Sequence, residues 1–463
     1  MKRLGAISAL VLLLAPPLAR AAAPSELEVQ TDSLRITFAL GGGEPSSWEA
    51  CHPSCAAPRA RATFAGSGSV VRVVAVGDDD MTRRIAALTY RAERRDDATS
   101  IVLSLVSEPL AEGVELRQTW RIPRRGYASS LELVVEGPRA DAFASAHPLE
   151  LAIEPMGELS AVELGEWRGV RSRFWTLLAR RDAGSHALAR TFRVYSGPIE
   201  LGMLRATDPA LAGLLFPHLW FWMRWLALGL LLMLDALCGL VGNAGVAIVL
   251  LAVCVKILMR PLSGLAERWQ RDVNELHSLL QPQIEAIKAS SRGAERSQRL
   301  LALHREHGVS PFFGLKSLLS VAIQIPIFFA AYHALDESFA LAGVPFLWIA
   351  DLAEPDRFAA FPRPIPFFGA TLNLLPFVMS AVTLLSSRLH DDGTLAPKLL
   401  RRQRLGLYAM ALAFFLLFYS FPAGMVLYWT SNNLIALIWE AVSRRLPRWR
   451  DRTGRLAIGT IRR

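Results

Sequence analysis

Between residues 242 and 443 the chain carries apolar segments of near-bilayer length at about 243–262, 314–336, 365–387, 405–421 and 423–443. A helix needs roughly 20 apolar residues to cross a hydrocarbon core, where only a closed hydrogen-bonded backbone is tolerated. Such a run of segments excludes an ordinary soluble fold and predicts a polytopic α-helical membrane protein. The connections agree. Residues 260–316 hold nine Lys/Arg, 387–405 hold five and 444–463 hold eight, whereas 337–366 has only Arg357 and Arg363 against Glu337, Asp351, Glu354 and Asp356. Basic and acidic connections alternate, as the positive-inside rule requires. The formal charge of +10, beside a hydrophobic content of 52%, is therefore read as orientation in a membrane, with no DNA partner.

At the start, Lys2 and Arg3 precede an apolar run from Leu4 to Leu18 and small residues up to Ala23. Residues 1–23 read as a signal sequence or N-terminal membrane anchor, the shortness of the run favouring a cleaved signal. On either reading the domain after it is exported. Residues 24–205 then show strand patterns at Leu27–Gln30, Leu34–Phe38, Val70–Val76, Ile101–Val106 and Leu131–Val135, with no long helix between them, which predicts an all-β sandwich domain. Two readings of Cys51 and Cys55 stand, a local disulfide or two unrelated thiols. Cys238 and Cys254 lie in apolar stretches, so no metal framework emerges.

The segment 216–241 is apolar from Trp225 to Leu234 but bracketed by Arg224 and Asp235. If it crossed, the basic connections could be cytosolic only with the exported domain inside as well. Parity thus lays it along the outer surface as an interfacial amphipathic helix, with Trp220, Trp222 and Trp225 at headgroup level. Residues 242–445 form the membrane core, with a cytosolic helical hairpin at 263–313 around Gly293, and 446–463 a basic cytosolic tail.

No enzyme motif qualifies. His304-Arg305-Glu306-His307 lacks the zincin spacing, and no cofactor or metal site follows from any other residues. What remains is polar residues inside the spans. Lys256 stands five residues before Pro261, read here as the end of its helix, about 7 Å along the axis. A charge at the centre of such a helix costs at least ~2.5 kcal/mol unless it finds water or a partner. Snorkelling to the headgroups is one answer and a wet cavity another. Ser317, Ser320 and Gln324 share one face of the second segment, Ser380, Thr383 and Ser387 one of the third, and Asn433 and Glu440 one of the last. Singly, such residues bond their own backbone or pack. Together, at one depth, they predict a wet, positively charged cavity open to the cytosol and closed to the outside. A polar or acidic stretch of an incoming chain could rest there while its apolar helix moves into lipid, at a reduced burial cost.

Several motifs in order carry a resemblance. They are Gly242-Asn243-Ala244-Gly245 through Lys256 to Met259-Arg260-Pro261-Leu262, then Gln281-Pro282-Gln283, then Ile323-Gln324-Ile325-Pro326. Pro345-Phe346-Leu347-Trp348 through Asp351-Leu352 comes next, and Phe421-Pro422-Ala423-Gly424 through Tyr428-Trp429 to Ser431-Asn432-Asn433 closes the set. Over about 216–445 the chain resembles the YidC and mitochondrial Oxa-type insertases. The resemblance implies a bacterial inner-membrane insertase and chaperone, not an enzyme, built as a five-helix core with a hydrophilic groove open to cytosol and lipid. It implies an exported β-supersandwich, matched best at Val114–Val135 and Arg193–Pro198. Lys256 stands at the family's groove arginine, keeping the charge without the bidentate fork, and Phe312-Phe313-Gly314-Leu315-Lys316 departs from the family's Gly-Gly-Cys-like entry. Tyr428 and Trp429 match the aromatic pair. The expected groove residues are Lys256, Ser320, Gln324, Thr383, Tyr428, Trp429 and Asn433. The partners implied are nascent membrane proteins, the ribosome and the Sec translocon, and the tail suits ribosomal RNA or anionic lipids equally. Two rival readings are a small-solute transporter, against which the spans show no internal repeat, and a scaffold tethering an exported domain.

Overall fold

The structure is a computed structural model that describes residues 25–65, 69–110, 113–155, 157–306, 315–389 and 397–445. The expected signal or anchor at 1–23, the tail at 446–463 and the end of the hairpin at 307–313 lie outside these residues, as does the side chain of Ser320. The chain divides into two compact units, one of residues 1–49, 63–158 and 179–194, the other of 50–62, 159–178 and 195–463.

The first half of the chain is β-structure. Strands β1 (Glu26–Gln30), β2 (Leu34–Ala39), β3 (Glu44–His52) and β4 (Ala60–Phe64) form a four-stranded sheet in sequence order. Next come β5 (Val71–Ala75), a short helix α1 (Asp79–Ala86), β6 (Tyr90–Asp96), β7 (Ser100–Ser107), β8 (Glu115–Pro123), β9 (Ala128–Glu136), a short helix α2 (Ala140–Ala146) and β10 (Leu149–Ile153). After them run β11 (Ser160–Leu164), β12 (Trp167–Arg171), β13 (Trp175–Arg181) and β14 (Ala189–Pro198). The large sheet has the order β11-β12-β13-β14-β9-β8-β7-β6, and β10 pairs with β5. Each strand read from alternation coincides with one of these to within three residues at its ends.

Register explains the alternation. Leu103, Trp120 and Leu131 stand opposite one another across β7, β8 and β9, as do Leu105, Gln118 and Leu133, and all six are buried. The row between them, Ser104, Thr119 and Glu132, takes the other face. Phe38 of β2 and Trp48 of β3 meet Trp120 edge-on, with ring centroids 5.6 and 5.8 Å apart. The two sheets therefore share one aromatic core, as a sandwich does. In the second unit Cys51 and Cys55 form a disulfide, which settles the two readings of that pair.

The second half is helical. It begins with α3 (Leu201–Thr207) and α4 (Phe221–Val241), followed by α5 (Ala244–Ser290) and α6 (Gly293–Glu306). Gly242, with φ of +69°, ends α4 in a left-handed cap, and the Asn243 side chain accepts the Val246 N–H at 3.0 Å to start α5. The long α5 corrects the reading of Pro261 as a helix end. The helix passes through both Pro261 and Pro282, because each proline removes only one ladder bond from a helix held on both sides. At about 70 Å it is more than twice the thickness of a hydrocarbon core.

After α7 (Leu315–Asp336) the chain forms a hairpin, β15 (Ala359–Ile365) paired antiparallel with β16 (Gly369–Leu372), before α8 (Leu375–Leu389), α9 (Pro397–Phe418) and α10 (Ala423–Arg445). This corrects the third apolar segment, expected from residue 365. Pro362, Pro364 and Pro366 forbid a helix there, and the helix begins only at Leu375.

Among the described residues, Phe221–Val241 and Ala244–Leu265 are long and apolar enough to cross a membrane, with mean hydropathy 1.8 and 2.1. Leu375–Ser386 and Leu405–Phe418 are shorter apolar helices. Helix α4 thus meets the length and apolarity of a span, and its placement along a surface rests on the parity argument alone.

Candidate functional site

Within the second unit, the starts of α5, α8 and α10 and the ends of α7 and α9 are tied together by loops. Two glycines set the spacing. A Cβ on Gly245 would fall on the ring of Phe346, and one on Gly424 would come within 3.0 Å of the Leu352 carbonyl and 3.3 Å of Ile248. Loop and helix ends therefore touch where any larger residue would hold them apart. The loop then caps α10, for the Ala423 N–H bonds the Glu354 carbonyl and the Gly424 N–H the Leu352 carbonyl, both at 2.8 Å.

Asp351 braces that loop by accepting the N–H groups of Gly343 and Ala353 at 3.0 and 2.8 Å. Asp356 accepts from the Leu375 N–H at 2.6 Å, capping α8, and from the Trp348 indole at 3.2 Å. Arg173 donates to the Asp336 carbonyl at 3.0 Å, the Asp336 carboxylate at 2.8 Å and the Ala353 carbonyl at 2.9 Å. Beside it Glu337 accepts the Phe216 N–H at 3.2 Å and lies 3.9 Å from Arg171. Burial pushes the Glu337 carboxyl above its ordinary value, against the pull of that N–H and of Arg171.

Further along the helices the polar residues predicted from the sequence come into view. Thr383 of α8 donates to its own Met379 carbonyl at 2.8 Å and accepts from the Asn433 amide of α10 at 2.9 Å. These two the fold brings together. Tyr428 and Asn432, one turn apart on α10, and Ser380 on α8 are not so provided for. The Tyr428 hydroxyl, the Asn432 Oδ1 and the Ser380 Oγ are buried with no hydrogen-bond partner among the described residues. Tyr428 as a whole is 1% exposed.

Trp429 has a different setting. Its ring lies 5.2 Å from Phe328 of α7, 5.5 Å from Phe414 and 5.8 Å from Phe418 of α9. It is a packing residue first. Gln324 lies one turn before Phe328 on the same face of α7 and is exposed, as is Lys256 on α5. Sequence reasoning singled out Asn433 and passed over its neighbour Asn432, although Ser431-Asn432-Asn433 stood in a quoted motif. Adjacent positions on a helix face different ways, so only packing tells which asparagine is paired and which is orphaned. Among the described residues no cluster of His, Cys, Asp or Glu could hold a metal.

The arrangement can offer polar atoms and positive charge to an outside group inside an apolar bundle.

Part of this chain is similar to known proteins. Residues 236–448 match the family described as 60Kd inner membrane protein. The membrane protein insertase YidC of Ralstonia nicotianae is 32% identical over 254 residues, which cover 54% of this chain and 41% of that protein. That of Cupriavidus metallidurans is 33% identical over 248 residues, covering 53% and 40%. The chain therefore spans about two fifths of the length of the curated relatives it matches. Among solved structures, an active YidC insertase with its first transmembrane domain resolved is 20% identical, with a TM-score of 0.41 over 90% of this chain and 92% of that one.

Proposed function

We propose, from the match of residues 236–448 to the 60Kd inner membrane protein family and the likeness to YidC insertases, that this chain is a YidC/Oxa-type inner-membrane protein insertase and chaperone for hydrophobic helices of nascent membrane proteins. Helices α5, α7, α8, α9 and α10 are its five membrane helices, and the loop-tied end of the bundle faces outward. The hairpin of α5 and α6 and the chain's C-terminus face the cytosol. Helix α4 lies along the outer interface, its exposed Trp220, Phe221 and Trp225 in the headgroups.

One observation carries the reading. The facing helices α8 and α10 hold three buried polar atoms with no partner among the described residues, Ser380 Oγ, Tyr428 hydroxyl and Asn432 Oδ1, beside the Thr383–Asn433 bond. A buried orphan costs about 1–3 kcal/mol, so its presence calls for an explanation outside stability. A polar segment of an incoming chain supplies the missing partners, while its apolar part leaves sideways into lipid. Lys256 and Gln324 line the entry and draw in acidic and polar stretches, Ser320 standing one turn before Gln324 on the same helix. Trp429 supports Tyr428 from the packed side. No covalent step is needed. Delivery by ribosomes, cooperation with the Sec translocon and attraction of the basic tail to anionic lipids belong to the same reading.

The test is insertion of a short two-helix substrate into proteoliposomes holding the purified protein, with wild type against Lys256→Ala. Protein-dependent insertion that falls on removing the charge is expected. Insertion unaffected by the change reduces Lys256 to a snorkelling residue, and no insertion by folded wild-type protein sinks the reading in favour of a scaffold or transporter.

A further inference from the structure

Arg260 lies four residues after Lys256 on α5, so the two cations share one face of the helix. The Arg260 guanidinium sits over the ring of Trp439 of α10, 3.7 Å from its centroid. Trp439 comes seven residues after Asn432 and eleven after Tyr428, close to two and three full turns. Those three positions form one stripe of α10, and the two nearer ones carry the orphaned buried atoms, Tyr428 hydroxyl and Asn432 Oδ1. The guanidinium is thus held at the end of the stripe that lacks partners.

The chemistry of that contact matters. A ring face attracts a cation through its quadrupole and takes none of the in-plane N–H donors. Arg260 is therefore oriented by Trp439 without being neutralised, and its fork remains available for a carboxylate. Its side chain is exposed. A lysine at the preceding turn adds a second charge about 6 Å along the axis.

Resting on the insertase reading, we propose that Arg260, held by Trp439, is a second substrate-binding cation. The pair Lys256 and Arg260 selects incoming segments that carry carboxylates about one helical turn apart, one taken bidentately by Arg260 and the other by Lys256. Trp439 is the positioning residue.

The experiment uses the full chain in proteoliposomes and a two-helix substrate in three versions, with two, one or no carboxylates in the translocated stretch. Arg260→Ala is expected to lower insertion of the two-carboxylate version about tenfold and of the neutral version less than about twofold. Arg260→Lys falls between, since it keeps charge without the fork, and Trp439→Phe stays near wild type while Trp439→Leu reproduces part of the loss. Arg260→Glu is expected to recover insertion when the substrate carries lysines at the same positions, a charge exchange that a merely structural role does not produce. Equal losses for all three substrates identify Arg260 as a lipid anchor and overturn the inference, as does no loss for any. Wild-type protein that inserts none of the three removes the insertase reading itself, and the inference with it.

Discussion

The loop-tied end of the helical unit and the polar stripe further along it treat their polar groups in opposite ways. At the loop end Asp351, Arg173 and Asn373 each make two or more hydrogen bonds that knit loops and helix ends together, and glycines let backbone touch side chain and backbone. Its two orphans, Asp356 Oδ1 and Ser338 Oγ, sit on loops. Along the stripe the orphans lie on two facing helices, where an apolar side chain would have served stability better. On the proposed reading one end is a frame and the other a site, the rigidity of the first holding the unsatisfied atoms of the second for an incoming chain.

The comparison can be broken, first by damaging the frame. Gly245→Val drives its side chain into the Phe346 ring and is expected to cost about 3 kcal/mol, read as lower urea resistance in detergent. A neutral result would mean the loop end gives way and is no frame. Arg173→Ala removes the donors for three oxygens and is expected to cost about 2 kcal/mol, with Arg173→Lys recovering part of it at most. The loss should appear in unfolding and leave the preference among substrates unchanged.

Tyr428→Phe sharpens the contrast from the other side. It deletes a hydroxyl that bonds nothing within the described residues, so stability should stay within about 0.5 kcal/mol or rise slightly. Insertion of substrates with polar segments should fall. Stability lost to the same degree as in Arg173→Ala would show that the stripe is a structural network after all.

The smallest effect concerns pH. Glu337 is raised above its ordinary 4.5 chiefly by burial, so the folded protein keeps the proton longer than the unfolded chain does. Stability from this group is therefore greatest at low pH and declines as pH rises from about 4.5 through the raised folded value. Glu337→Gln should flatten that part of the curve, checked by unfolding at a series of pH values, and an unchanged slope would clear Glu337 of the effect.

Much of the fold was legible in the residues themselves. Alternation located the strands. Two features misled. Pro261 reads as a terminator, yet the helix passes through it. The apolar stretch after residue 365 reads as the head of a span, yet its prolines turn it into the β15–β16 hairpin. In the candidate site, the sequence predicted a common depth for polar residues of several helices, and the structure joins two of them, Thr383 and Asn433. It could not show that Asn433 finds Thr383 while Asn432 Oδ1 finds nothing, or that Trp429 is enclosed by phenylalanines.

The sequence by itself determined what depends on near neighbours along the chain: the period of burial in the strands and the alternation of charge between segments. These arise from backbone hydrogen bonding and from transfer out of water, which act locally. Tertiary structure alone decided which side chains meet across long separations, such as Arg173 with Asp336, 163 residues on, and Asn433 with Thr383, 50 residues back. Such pairings depend on how whole helices and loops pack, and a one-turn difference in that packing would give every polar atom of the stripe another neighbour.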